Sequence, residues 1–211
     1  MTALFFVINS FLIFTAIMKT ITFLFLCLAS FTSYSQLWTK TQLDAANTAK
    51  DIRYLTEPEK NAIQYINLAR LYPQLFIRNE LNSYNGAAGF HENLQRSSYK
   101  KSLLKELKKR GPVSALQFDK TMYGYAKCFA KESGEAGWVT HQRKSCPYGY
   151  LAECCSYGVG TGKDIAMQWL IDDGVPGVAH RVNCLNPEYS VIGLAVHKHK
   201  KYKICAVADF R

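Results

Sequence analysis

Leu151-Ala152-Glu153-Cys154-Cys155-Ser156-Tyr157-Gly158 and, after a helical stretch, Asp172-Asp173-Gly174-Val175-Pro176-Gly177-Val178-Ala179-His180-Arg181-Val182-Asn183-Cys184-Leu185-Asn186-Pro187 form the part of the chain whose reading decides the fold. Together they set carboxylates and a histidine around a Gly/Pro-rich turn, and His141 lies shortly upstream. Gly149, Gly158, Gly160, Gly162, Gly174 and Gly177 interrupt the backbone so often that these polar groups must sit on loops or helix ends. Loops of that kind on a rigid scaffold are where function usually resides.

Downstream, residues 189–198 and 202–210 read as two strands joined by His199-Lys200-Lys201. In the first, Val191, Gly193 and Ala195 alternate with Ile192, Leu194 and Val196, so both faces are apolar. Such a strand is covered on each side, which implies a sheet between two layers of helix. His197 and His199 share a face near the hairpin tip and read as solvated rather than as metal ligands.

Upstream, Thr56-Glu57-Pro58-Glu59 is a capping-box pattern opening a helix whose Ile63, Ile66 and Ala69 fall on one face. Residues 82–93 are turn-rich; their His91 lacks the second histidine of a metalloprotease motif, because Gln95 stands there. Residues 97–110 predict an amphipathic helix with Tyr99, Leu103, Leu104 and Leu107 inward. Its Lys100, Lys101, Lys105, Lys108, Lys109 and Arg110 are expected to face solvent. Asp119 can N-cap a third helix with Met122, Ala126, Phe129 and Ala130 as its apolar stripe and Cys128 to one side. A fourth helix starts at Thr161 or Gly162 and runs to Asp173, where Gly174 with Pro176 beyond it ends it. Gly158-Val159-Gly160-Thr161-Gly162-Lys163 is no phosphate loop, since Asp164 occupies the Ser/Thr position.

The chain opens with two apolar runs broken by Lys19, the only charge in the first 35 residues. Residues 1–35 read as a secretory signal peptide, with Met18 as an alternative start and small residues Ser33 and Ser35 before Gln36. Neither run reaches the roughly 18 residues of a membrane-spanning helix. Residues 36–55 read as a polar arm and residues 56–211 as one domain. The expected location is therefore secreted, extracellular or periplasmic. Without Lys19 the chain keeps 25 basic and 16 acidic side chains, a net +9. That balance favours anionic surfaces and specifies no nucleic acid.

Six cysteines lie beyond the leader: Cys128, Cys146, Cys154, Cys155, Cys184 and Cys205. An even number in an exported protein favours disulfides. Cys154 and Cys155 are poor partners for each other, because neighbouring Cα atoms lie about 3.8 Å apart, below the usual disulfide range of roughly 4.4 to 6.8 Å. A structural zinc site is disfavoured, since no C-x-x-C pair occurs.

Two histidines and nearby carboxylates can hold a divalent cation or form a plain hydrogen-bonded cluster. Asp172 and Asp173 fall in the last turn of a helix, where the macrodipole disfavours negative charge by about 0.3 to 1 kcal/mol each. His180, Arg181, a bound cation or capping of the following turn can compensate. No G-x-S-x-G or other nucleophile motif is present.

Tyr65-Ile66-Asn67-Leu68-Ala69-Arg70 with Pro73 and Phe76, then His141, Ala152-Glu153 before Ser156-Tyr157-Gly158, Trp169-Leu170-Ile171-Asp172-Asp173-Gly174-Val175-Pro176, and His180-Arg181-x-Asn183-x-x-Asn186-Pro187 form one pattern. It resembles the CAP superfamily, which holds cysteine-rich secretory proteins, antigen 5 and pathogenesis-related proteins, and within it the bacterial secreted branch. The resemblance implies an α+β fold, a three-layer α-β-α sandwich, with a central cavity lined by two histidines and two acids. By motif these fall on His141, His180, Glu153 and Asp172, with Asp173 as the fallback. Asp172 is a methylene shorter than the family's usual glutamate. Cys154 stands where an asparagine is usual, and Cys155 and Cys184 stand at commonly aliphatic positions. From those departures a Cys155–Cys184 disulfide is expected to tie the two loops together.

The resemblance further implies a non-enzymatic binding module for a divalent cation such as zinc and for a lipid or other small-molecule ligand. One alternative is a metal-dependent hydrolase with Glu153 as general base. The other is an adhesin that uses the basic helix over residues 97–110.

Overall fold

The computed structural model describes residues 37–88 and 93–211. The leader expected over residues 1–35 and the His91-Glu92 turn lie outside the described residues. The arm expected over residues 36–55 holds a helix, α1 (Lys40–Ala46), which Thr39 and Gln42 start with a reciprocal capping box. Ala46 and Ala49 are fully buried, and Trp38 Nε1 donates to Glu80 Oε1 at 2.6 Å, so this segment is packed into the fold.

Helix α2 (Glu57–Leu71) begins at the Thr56/Glu59 box. Ile63, Ile66 and Ala69 point inward with no exposure. A short turn, α3 (Pro73–Phe76), runs into one turn of π-helix, Ile77–Leu81. Helix α4 (Ser98–Lys109) is capped by Ser97, whose hydroxyl accepts from the amides of Tyr99 and Lys100. Leu103 and Leu107 are buried as expected. Lys100 is not on the solvent face: its stem is buried and its Nζ donates to the carbonyls of Asn82 and Tyr84. A lysine amine can replace lost hydration with fixed carbonyls, and this one secures the turn between the π-helix and α4.

Strand β1 (Gln117–Phe118) leads to α5 (Lys120–Ala136), whose first turn is capped by Asp119 accepting from Met122 N at 2.8 Å. Strand β2 (Ala152–Tyr157), α6 (Gly162–Ile171), α7 (Ala179–Leu185), β3 (Val191–His199) and β4 (Lys203–Phe210) complete the chain. The sheet order is β1-β3-β4-β2, with β1 parallel to β3 and the other pairs antiparallel.

The two faces of the sheet differ in the size of their residues, which sets how closely each helical layer approaches. On one side Ile192, Leu194, Ala206, Ala208 and Phe210 pack with residues of α2, α6 and α7. On the other, Ala195, Cys205 and Val207 meet Ala126, Phe129 and Ala130 of α5. A Cβ on Gly193 would lie 1.8 Å from the Tyr123 amide nitrogen, so α5 rests directly on the backbone of β3. Gly162 has the same duty at the start of α6, where a Cβ would meet the backbone of α2 at 2.6 Å. The result is the three-layer α-β-α sandwich.

Asn67 and Arg70 fasten the loops to this frame. Asn67 Nδ2 donates to the carbonyls of Ala46 and Leu116, while its Oδ1 accepts from Leu116 N. Arg70, fully buried, gives its guanidinium protons to the carbonyls of Ser114, Cys184, Asn186 and Tyr189. That spans the chain on both sides of α7's exit. Burial pulls the Arg70 pKa down to about 10, still far above neutrality, so the clamp keeps its charge.

Two further sequence expectations are corrected. His199 is not at a solvated tip: it is 2 % exposed and lies inside β3. Its Nε2 meets the Trp138 carbonyl at 2.9 Å, and its Nδ1 accepts from the amides of Lys201 and Tyr202. Cys155 and Cys184 are not paired; both are buried free thiols, as are Cys154 and Cys205, and Cys128 is joined to Cys146. The reason is strand alternation. On β2 it is Cys154 that faces α7 with Cys184, while Cys155 points to the α5 side. Among the described residues no helix is long and apolar enough to cross a membrane.

Candidate functional site

β2 is an edge strand, and its outer rim is not left bare. Asn183 Nδ2 donates to the Glu153 carbonyl at 3.2 Å and Trp169 Nε1 donates to the Cys155 carbonyl at 3.0 Å. These two side chains take carbonyls that an edge strand would otherwise offer to another chain. They also draw α7 and α6 against the strand, so residues from both helical layers meet along it.

At this meeting lies a cleft of about 360 Å³ whose walls include His141, Cys155, Tyr157, Asp172, Asp173 and His180. Glu153, Cys155 and Tyr157 alternate along β2 and so share its α5-facing side. His141 arrives from the long loop after α5, and its Nδ1 lies 2.8 Å from Glu153 Oε1. Glu153 Oε2 accepts from Arg143, which also holds both oxygens of Asp209 at 2.9 Å. Asp209 is the register partner of Glu153 on β4. One guanidinium therefore stands between two buried carboxylates, stacked on the rings of Tyr150 and Phe129. Burial pushes the Asp209 carboxyl up to about 7, with Arg143 opposing the rise. The hydrogen bond to Glu153 raises the pKa of His141 above its ordinary value.

The opposite wall is built locally. Asp172 is the C-cap of α6 in the left-handed conformation (φ 57°, ψ 42°), which Asp tolerates better than most residues. From there its carboxylate turns toward α7. Oδ1 lies 2.7 Å from His180 Nδ1, and Oδ2 accepts from the backbone amides of His180 at 2.9 Å and Arg181 at 3.4 Å. The shorter side chain reaches because the backbone itself is turned. The guanidinium of Arg181 donates to the carbonyls of Leu170 and Ile171, closing the last turn of α6. Of the groups expected to offset Asp172, the structure supplies the His180 ring, the backbone amides of His180 and Arg181, and the nearby Arg181 charge. Asp173, the fallback acid, lines the same cleft and accepts from Ser97 Oγ, at the N-cap of α4.

The structure brings His141, Asp172 and His180 around one cleft, with Glu153 bonded to His141 behind it and the two imidazole centroids 6.2 Å apart. Both rings engage a carboxylate through Nδ1, and among the described residues neither Nε2 takes a hydrogen bond. Cys155 Sγ sits 3.7 Å from both His141 Nδ1 and Glu153 Oε1, giving a His–Glu–Cys group close enough to hold a metal ion. Arg143, Asp209 and Tyr157 were not singled out from the sequence. One signal for Asp209 was present: a lone carboxylate between Ala208 and Phe210 in an apolar strand requires a buried cation.

The site is a histidine-and-acid cleft beside the edge strand of a three-layer sandwich. Residues 63–210 match the model of the Cysteine-rich secretory protein family, CAP, and the chain belongs to that family. Comparison with the curated proteins returned no match.

Proposed function

We propose that the cleft binds one divalent cation, zinc being the best fit, through Nε2 of His141 and Nε2 of His180. The observation that carries this reading is the pair of carboxylate–histidine contacts, Glu153 to His141 and Asp172 to His180. Metal-bound histidines almost always give their other ring nitrogen to such an acceptor, which fixes the tautomer and makes the free nitrogen more basic. With zinc–nitrogen bonds of about 2.0 to 2.1 Å, two imidazoles on one ion put their centroids roughly 5 to 6 Å apart. The observed 6.2 Å needs only a small closure.

Glu153 is occupied on both oxygens, by His141 and Arg143, so it orients its neighbours and is badly placed to take a proton from water. That supports a binding module over a hydrolase. Val139, Tyr157, Val175 and Tyr202 give the cleft apolar walls beside the histidines, and its volume lies at the lower end of the roughly 300 to 1,000 Å³ typical of small-ligand pockets. A lipid or other small molecule would sit there with a polar group on the ion. An exported location is supported by the apolar leader, the family and the Cys128–Cys146 disulfide, and the bacterial secreted branch by the His180-Arg181-x-Asn183-x-x-Asn186-Pro187 motif.

A second arrangement rests on its own observation. Tetrahedral zinc with sulfur, nitrogen and oxygen ligands needs ligand separations of roughly 3.3 to 3.6 Å, and the His141 Nδ1, Glu153 and Cys155 atoms stand 2.8 to 3.7 Å apart. It would break the His141–Glu153 hydrogen bond and use no atom of His180. Calorimetric titration with zinc separates the two. Binding lost in His180→Ala supports the two-histidine site; binding kept there and lost in Cys155→Ser supports the thiolate site.

A further inference from the structure

We infer that Cys154 and Cys184 are joined by a second disulfide in the oxidised protein, fastening β2 to α7 beneath the cleft. Alternation along β2 sends Cys154 into the layer formed by α2, α6 and α7, where it shares a fully buried cluster with Cys184. Their surroundings fix both backbones. Cys154 Sγ lies 3.6 Å from the His180 carbonyl, one turn before Cys184 on α7, and Asn183 Nδ2 reaches both the Glu153 carbonyl and Cys154 Sγ. The remaining thiols are excluded as partners by geometry. Cys155 and Cys205 lie in the other cluster, on the α5 side of the sheet, and the Cys205 thiol donates to the Ala130 carbonyl at 3.4 Å.

Closure forms one S–S bond and breaks two S–H bonds. The two electrons and two protons pass to a disulfide oxidant such as oxidised glutathione, which leaves as two thiols. Both sulfurs are fully buried once the protein is folded, so a soluble disulfide oxidant cannot reach them there. The bond therefore forms while the chain folds, before these residues are covered. Its consequence is positional: Glu153 precedes one cysteine and His180 lies four residues before the other, so the link holds the two walls of the cleft in register. The inference does not depend on what the cleft binds.

Peptide mapping without reduction tests it on the full chain, unfolded, reduced and refolded with oxidised and reduced glutathione. The Cys184 peptide is expected joined to the Cys154/Cys155 peptide in wild type and in Cys155→Ser, and free in Cys154→Ser. A free Cys184 peptide in wild type while Cys128 and Cys146 are joined overturns the inference, as does a link that survives in Cys154→Ser. Thermal melting gives a second readout. Oxidised wild type is expected to melt about 5 to 15 °C above Cys184→Ala, with the gap narrowing under reductant; a gap unchanged by reductant contradicts the link.

Discussion

The two walls of the cleft hold the same chemical unit, an imidazole on a carboxylate, and build it in opposite ways. The His180 wall is local: Asp172 and His180 lie eight positions apart, one helix cap aims the acid, and the ring is 17 % exposed. The His141 wall is assembled from afar. Its ring is 59 % exposed, and its acid is held by Arg143 of a loop, which is held in turn by Asp209 of the last strand. The first wall depends on backbone conformation and the second on balanced charge, so they should fail differently.

Removing the charge at the centre of the distal wall should have the largest effect. Arg143→Met leaves Glu153 and Asp209 buried together without their cation, and a broken buried ion pair typically costs about 3 to 5 kcal/mol. Urea unfolding should show that loss, and the triple variant Arg143→Met, Glu153→Gln, Asp209→Asn should recover much of it. No recovery would mean that packing against Phe129 and Tyr150, not charge, holds the wall. The local wall should yield less: Asp172→Ala strips the acceptor from two buried amides and a ring, for about 1 to 3 kcal/mol. Zinc affinity should drop roughly 10- to 100-fold in Asp172→Ala and in Glu153→Gln alike, if both acids orient ligands. A drop in only one variant would show that a single histidine binds.

The smallest effect separates the walls by pH. His141 has its folded pKa raised, so the stability it gains from Glu153 is present at low pH and lost as pH rises through that folded value. With the ring this exposed, solvent screening holds the contribution below about 1 kcal/mol. An NMR titration should place His141 above the ordinary imidazole value of 6.5 and return it toward that value in Glu153→Gln; an unmoved midpoint would remove Glu153 as the cause. Asp209 is likewise raised, to about 7 from 3.8, so its contribution is full below the lower value and lost as pH climbs through the upper one. Asp209→Asn should flatten that part of the stability profile.

The contrast also explains what could be read from the sequence. The apolar alternation of β3 declared a sheet covered on both sides, and Gly174 with Pro176 marked the turn that aims Asp172 at His180, because these are short-range signals. His141 and Glu153 came from the family resemblance, since spacing alone cannot join a loop to a strand. Arg143 and Asp209 were missed because their partnership exists only in the β2–β4 register. Cys155 is expected from the sequence to face Cys184, but Cys154 holds that face, and on a strand one residue is the opposite face. Lys100 and His199 show the reverse limit: polar residues on a face expected to meet solvent were buried by carbonyls that only the folded chain supplies.

Both walls are proposed to close on a single ion. X-ray absorption at the zinc edge of the loaded protein measures it directly. Two imidazole nitrogens at about 2.0 to 2.1 Å with no sulfur neighbour is the expected result. A sulfur at about 2.3 Å, or a spectrum unchanged in His180→Ala, would contradict it.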